Sequence, residues 1–189
     1  MIATILMGGL GGGLVLFGWG ILSSMIMPWS RSTTLRFMGE DAMTDALARH
    51  APESGVYVLP HAFPLSPGMT PEERNATMQG AFRQMQTGTF LFAAVRFEGI
   101  GSFNRGSILA LSANVLSAAM VTGLLWLLPE LCFAARLAIV ELVAAVAVLV
   151  GTVPNWIWWG FSGRYVMSGI INTFIGWALA GCLLATLTS

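Results

Sequence analysis

Glu141 is the residue whose type and setting most invite chemistry. It stands inside an apolar run from Cys132 to Val153. An ionisable group in such a run costs roughly 3 kcal/mol on insertion scales, so it usually has a reason to be there. Asn114 and Asn172 occupy two other apolar runs, somewhat off-centre, and a carboxyl with two amides could form a buried polar cluster. Two readings stand. In one, Glu141 handles a proton or cation in a small transporter or channel, with Asn114 and Asn172 beside it. In the other it is protonated or amide-bonded and fixes helix register, or it snorkels toward Arg136. A continuous polar path or broken mid-membrane helices would favour transport, and the sequence displays neither.

The remaining candidates are weaker. His50, His61 and Glu53 match no metal-binding spacing. Glu72 and Glu73 follow Thr70-Pro71, a pattern that starts a helix: Thr70 caps it, Pro71 fits its first position and Glu73 completes a capping box. No GxSxG elbow, strand-borne phosphate loop or Ser-His-Asp grouping occurs. No histidine falls in an apolar run and there is no CxxCH, so the chain offers no usual axial ligand for haem or chlorophyll. Cys132 and Cys182 form no ladder of spacings and read as small apolar residues. The expectation is a non-enzymatic chain with no catalytic residues and no cofactor or metal of its own, in contact with lipid or pigment.

Composition explains why these polar residues are so conspicuous. Of 189 residues 56% are hydrophobic and 10% charged, with zero net charge. Soluble domains carry about 25% charged residues. The deficit and the long apolar runs put the chain in the membrane class, and the neutral balance excludes a nucleic-acid footprint. The expected fold class is mostly α and integral to a membrane: four transmembrane helices with a small α/β extramembrane domain inserted between the first and second.

The first span covers 1–27. It has no Lys or Arg ahead of its apolar core, a core too long for a signal peptide and no cleavage site after it. Gly8/Gly12 and Gly9/Gly13 are GxxxG pairs that clear one strip for close approach, to a helix of this chain or of a partner. Residues 28–105 form the inserted domain. Its expected elements are a helix over 39–50 with Ala42, Met43, Ala46 and Leu47 on one side, and a strand over 56–59. A helix from Thr70 to about Gln86 follows, with Met78, Ala81, Phe82 and Met85 inward, then a strand over 89–97 apolar on both faces. Residues 106–189 hold three spans, about 107–128, 132–153 and 165–187. The last carries a strip of Ser168, Asn172, Gly176 and Ala180 at four-residue spacing, suited to close helix contact.

Trp29, which ends the first span, and Trp156, Trp158 and Trp159 read as membrane-interface anchors, because an indole pairs an apolar body with one N–H that needs a partner. The segment 154–161 is too aromatic and too interrupted by Pro and Gly to be a helix interior. Arg31, Arg36, Arg96, Arg105 and Arg164 fall on one side of the spans and only Arg136 on the other, which leans the inserted domain toward the cytoplasm.

The stretches Gly55-Val56-Tyr57-Val58-Leu59-Pro60 and Pro154-Asn155-Trp156-Ile157-Trp158-Trp159-Gly160-Phe161-Ser162, with Ile175-Gly176-Trp177 after them, carry a resemblance. The chain resembles a group of small bacterial inner-membrane proteins with one amino-terminal span, a loop bearing a GxYxxP-like strand, and three carboxy-terminal spans. The resemblance implies this architecture and the bacterial inner membrane, and brings no catalytic residues with it. The expected function is an accessory or structural subunit of a larger membrane complex, respiratory or photosynthetic. It would bind lipid and other membrane subunits through its Gly-rich and small-residue faces and its loop domain.

Overall fold

The structure is a computed structural model that describes residues 1–61 and 68–189. In chain order its elements are α1 (Ile2–Ile26), α2 (Pro28–Arg31), α3 (Glu40–His50), β1 (Gly55–Leu59), α4 (Pro71–Thr87), β2 (Leu91–Val95), α5 (Phe103–Trp126), α6 (Phe133–Gly151), α7 (Val153–Trp158) and α8 (Gly163–Leu187). Four helical stretches are long and apolar enough to cross a membrane: α1, α5, α6 continued through α7, and α8. They fit a multi-pass membrane protein.

The chain divides into two units. The first comprises Met1–Leu35, Gly101–Ile157 and Phe161–Ser189. In it α1 packs on α5 along one side and on α8 along another, and α8 packs on α6. The contact of α5 with α6 is slight, so the order is α5, α1, α8, α6. Glycine makes the α1–α5 approach possible. A Cβ on Gly13 would stand 2.6 Å from the Cα of Val115, one on Gly9 would stand 2.9 Å from the Cβ of Ala119, and one on Gly8 would collide with Thr122. Gly12 meets Ala118 and Leu184. On α8, Gly176 faces Trp19 and Leu16 of α1, and Gly181 faces Leu137 and Val140 of α6. Ser168 and Ala180 are buried as well. The glycine and small-residue faces are therefore closed against helices of the same chain.

The densest apolar packing joins Val121 and Leu125 of α5, Val140 of α6 and Leu184 of α8, with Ile139, Val143 and Trp177 against them. This is the end at which α5, α8 and the chain finish. Arg136 stands beside it and is only 2% exposed. Its guanidinium donates to three carbonyl oxygens: Leu131 at 2.8 Å, Pro129 at 2.8 Å, and Thr188. One cation thus ties the α5–α6 turn to the end of α8, where helix carbonyls lack intrahelical partners.

The α7 segment departs from the sequence expectation. Val153–Trp158 is helical after a break at Thr152. Pro154 sits in the first turn, where no N–H is required of it. The helix ends at Trp158, and two residues on Gly160 has a φ of +69°, which disfavours any residue with a Cβ.

The second unit comprises Arg36–Ile100 with Trp158–Gly160. It starts later than the 28–105 expected, because α2 belongs to the helical unit. Its strands β1 and β2 pair antiparallel, from Gly55 opposite Val95 to Leu59 opposite Leu91. Ser54 closes one end: its hydroxyl accepts from the Phe97 N–H at 3.1 Å and donates to Glu98 at 2.9 Å. The Thr70–Glu73 capping box is formed, and the Thr70 backbone and hydroxyl hold the Glu73 carboxyl below its ordinary pKa. Phe92 packs on Trp159 with ring centroids 4.6 Å apart. The core is thin: Ala51, Ala81 and Val95 are the buried apolar residues among those described. Phe82, expected inward, is exposed, because α4 buries only the narrow line through Ala81.

Candidate functional site

The polar centre of the helical unit is Asn172. Four-residue spacing on α8 puts it one turn beyond Ser168, facing α1 and α2. The Ser23 hydroxyl donates to its Oδ1, and the indole N–H of Trp29 reaches the same oxygen at 2.9 Å. Its Nδ2 donates to Ser30 at 3.3 Å and toward Ser168 at 3.5 Å. The indole N–H of Trp19 donates to its main-chain oxygen at 3.0 Å. One amide therefore locks α1, α2 and α8 together. Every partner is a hydroxyl or an indole, and none carries charge at neutral pH.

Trp29 is accordingly half-buried rather than fully exposed. It turns inward because Asn172 offers the acceptor its N–H needs. Trp156, Trp158 and Trp159 are exposed, as an anchor would be. Asn172 is also shallower than its place in α8 suggests. It lies about 13 Å along α8, yet it meets Ser23, three residues from the end of α1. Helix α8 extends past the end of α1, so the middle of one is not level with the middle of the other.

Two cavities adjoin this lock. The larger, about 430 Å³, is walled by Ser24 of α1, Ser30 of α2, Thr33, Thr152 and Asn155 at the α6–α7 junction, and Tyr165 and Ser168 of α8. The smaller, about 210 Å³, lies between Leu16 and Trp19 of α1, Asn114 of α5, and Thr173, Gly176 and Trp177 of α8. Gly20 and Asn172 belong to both walls. The bare Gly20 leaves room there, with nothing within 4 Å of where its Cβ would be.

Asn114 and Asn172 thus share a cavity, as a polar grouping requires, but Glu141 lines neither. Its Oε1 is buried and has no hydrogen-bond partner among the described residues. It makes no ion pair with Arg136, whose donors face backbone carbonyls instead. The trio of Glu141, Asn114 and Asn172 is not assembled. Helix α6 buries the line Arg136, Val140, Ala144 and Val148, and Glu141 falls on its flank. Among the described residues no three of His, Cys, Asp or Glu gather as a metal would need.

Sequence spacing pointed to Asn172 but not to Ser23, Ser30, Thr152, Asn155 or Tyr165. Ser30, Thr152 and Asn155 sit beside span ends where hydroxyls and amides are unremarkable, and only the fold brings them to one place. Comparison with protein-family models, with proteins of assigned function and with solved structures finds no match for this chain.

Proposed function

We propose that the protein is a non-enzymatic accessory subunit of a larger membrane assembly in the bacterial inner membrane. The α1, α5, α6–α7 and α8 segments span the bilayer, and the Arg36–Ile100 unit docks on a partner subunit. The observation that carries this reading is the apolar surface of that unit. Phe37 is 57% exposed and Ile100 87%, Met38 is fully exposed, and Val56, Leu59, Phe82 and Phe97 are exposed as well. Lipid covers apolar side chains on a spanning helix, but an extramembrane unit has no such cover. Surfaces of this kind mark interaction sites. The helical unit supplies a rigid base, pinned by Asn172 at one end and Arg136 at the other.

The arginines support an orientation for the chain. Arg36 pairs with Glu40 at 2.9 Å and Arg31 donates to the Met25 carbonyl at the end of α1. Arg136, the one arginine toward the other end, is buried on carbonyls. The surface bias therefore favours a cytoplasmic Arg36–Ile100 unit.

The test is purification of the tagged native chain in mild detergent, with mass spectrometry of what accompanies it. Larger membrane subunits in fixed proportion are expected. A chain that comes away alone, or only with copies of itself, would contradict the proposal.

A further inference from the structure

The cavities beside Asn172 have hydrogen-bonding capacity that the fold does not use. The Asn172 amide is fully engaged and serves as wall. The hydroxyls of Thr152 and Tyr165 have no hydrogen-bond partner among the described residues. Asn155 donates its Nδ2 to the Gly151 carbonyl at 3.1 Å, and its Oδ1 accepts from none of the described residues. In the smaller cavity, which Trp19 and Trp177 also line, the Asn114 amide is likewise without a partner among the described residues. The Trp19 N–H is already engaged, so its ring serves as apolar surface.

We propose that the two cavities together bind one uncharged, hydroxyl-bearing lipid, its head among Thr152, Asn155 and Tyr165, its body against Trp19 and Trp177, and a polar atom along it meeting Asn114. The acceptor on Asn155 suits a donor from the ligand, which a hydroxyl supplies and an ester or ketone does not. The walls hold no arginine, lysine, histidine or carboxylate. A phosphate or ammonium head would lose its hydration there without gaining a counter-charge. The volume of the larger cavity falls within the roughly 300–1,000 Å³ of small-molecule sites. The exposed ring of Tyr165 leaves its mouth open to a ligand. This site is independent of the partner surface on the Arg36–Ile100 unit.

Native mass spectrometry of the full chain in detergent, titrated with dioctanoylglycerol, tests the proposal. Dioctanoyl phosphatidic acid and dioctanoyl phosphatidylcholine serve as probes with the same acyl chains and charged heads. Saturable uptake of one dioctanoylglycerol per chain is expected, with both charged lipids weaker by about tenfold or more. The double variant Thr152→Val/Tyr165→Phe, which removes two hydroxyls with almost no change of shape, weakens binding about tenfold. Equal uptake of all three lipids, no saturable uptake, or a double variant that binds like the native chain would overturn it. Should the double variant not fold, Tyr165→Phe alone, at an exposed position, must still weaken binding. Co-purification of partner subunits by the same double variant is expected to be unchanged, so this proposal and the subunit reading fail separately.

Discussion

Taking away the Asn172 amide leaves the Trp29 N–H without its acceptor and leaves Ser23 only the 3.3 Å contact with the Ser30 hydroxyl. Interhelical hydrogen bonds in membranes are worth about 0.6 kcal/mol on average and up to about 1.7. Asn172→Leu removes several at once and should lower stability by about 1–2 kcal/mol, read as an earlier thermal transition in detergent. Asn114→Leu, at an amide with no partner among the described residues, should leave that transition where it is or raise it. Equal losses from the two would show that the lock is not at Asn172. Arg136→Met should cost about 2–3 kcal/mol, because hydrogen bonds from a charged group are the stronger kind and three carbonyls lose theirs at once; a shift no larger than that of Asn114→Leu would refute its role as the tie. At this scale the sequence was only partly legible. Four-residue spacing exposed Ser168 and Asn172. It could not tell an inward tryptophan from an interfacial one, since Trp29 satisfies both patterns. Residue type alone singled out Glu141, while facing, which type does not encode, sets it apart from the two asparagines. The weight of Arg136 was hidden because its acceptors are backbone atoms, one of them near the far end of the chain.

Helix α1 carries a contrast within one element. A side chain on Gly13 runs into the backbone of Val115, whereas one on Gly18 meets nothing within 4 Å. Gly13→Leu should therefore push α1 off α5 and destabilise the protein by about 1–3 kcal/mol, and Gly18→Leu should be close to neutral. Thermal unfolding of the two variants side by side checks this, and equal effects would mean that the α1–α5 face is not where the structure has it. The GxxxG spacing made the tight face readable. Which helix fills it was not readable, because Val115 and Ala119 of α5 look like any apolar positions until the two helices are paired. The elements of the inserted unit were legible almost to the residue where local chemistry fixes them, as with Thr70, Pro71 and Glu73 at the start of α4. The spanning segments were least legible at 153–158, where Pro and Trp suggested a break. A proline in the first turn is compatible with helix, so a short α7 forms instead.

For the whole molecule, the proposed topology places Cys132 on the side opposite the Arg36–Ile100 unit and Cys182 within the bilayer. Both thiols are exposed on the protein surface, but only one would face water. A membrane-impermeant maleimide added outside intact spheroplasts should label Cys132 and spare Cys182, since the reactive thiolate needs an aqueous setting. Labelling of Cys132 only after lysis would invert the topology. The number of apolar helices could be read from composition and run length. What the glycine faces were for could not, and with those faces closed within the chain the proposed partner surface is the one on the inserted unit. The measurement that bears most directly on that claim is photo-cross-linking in native membranes from benzoylphenylalanine placed at Met38 and, separately, at Ile100, with Leu142 on α6 as the lipid-facing comparison. The account predicts a discrete adduct with another protein from Met38 or Ile100 and only lipid adducts from Leu142. Lipid adducts alone from all three positions would contradict it.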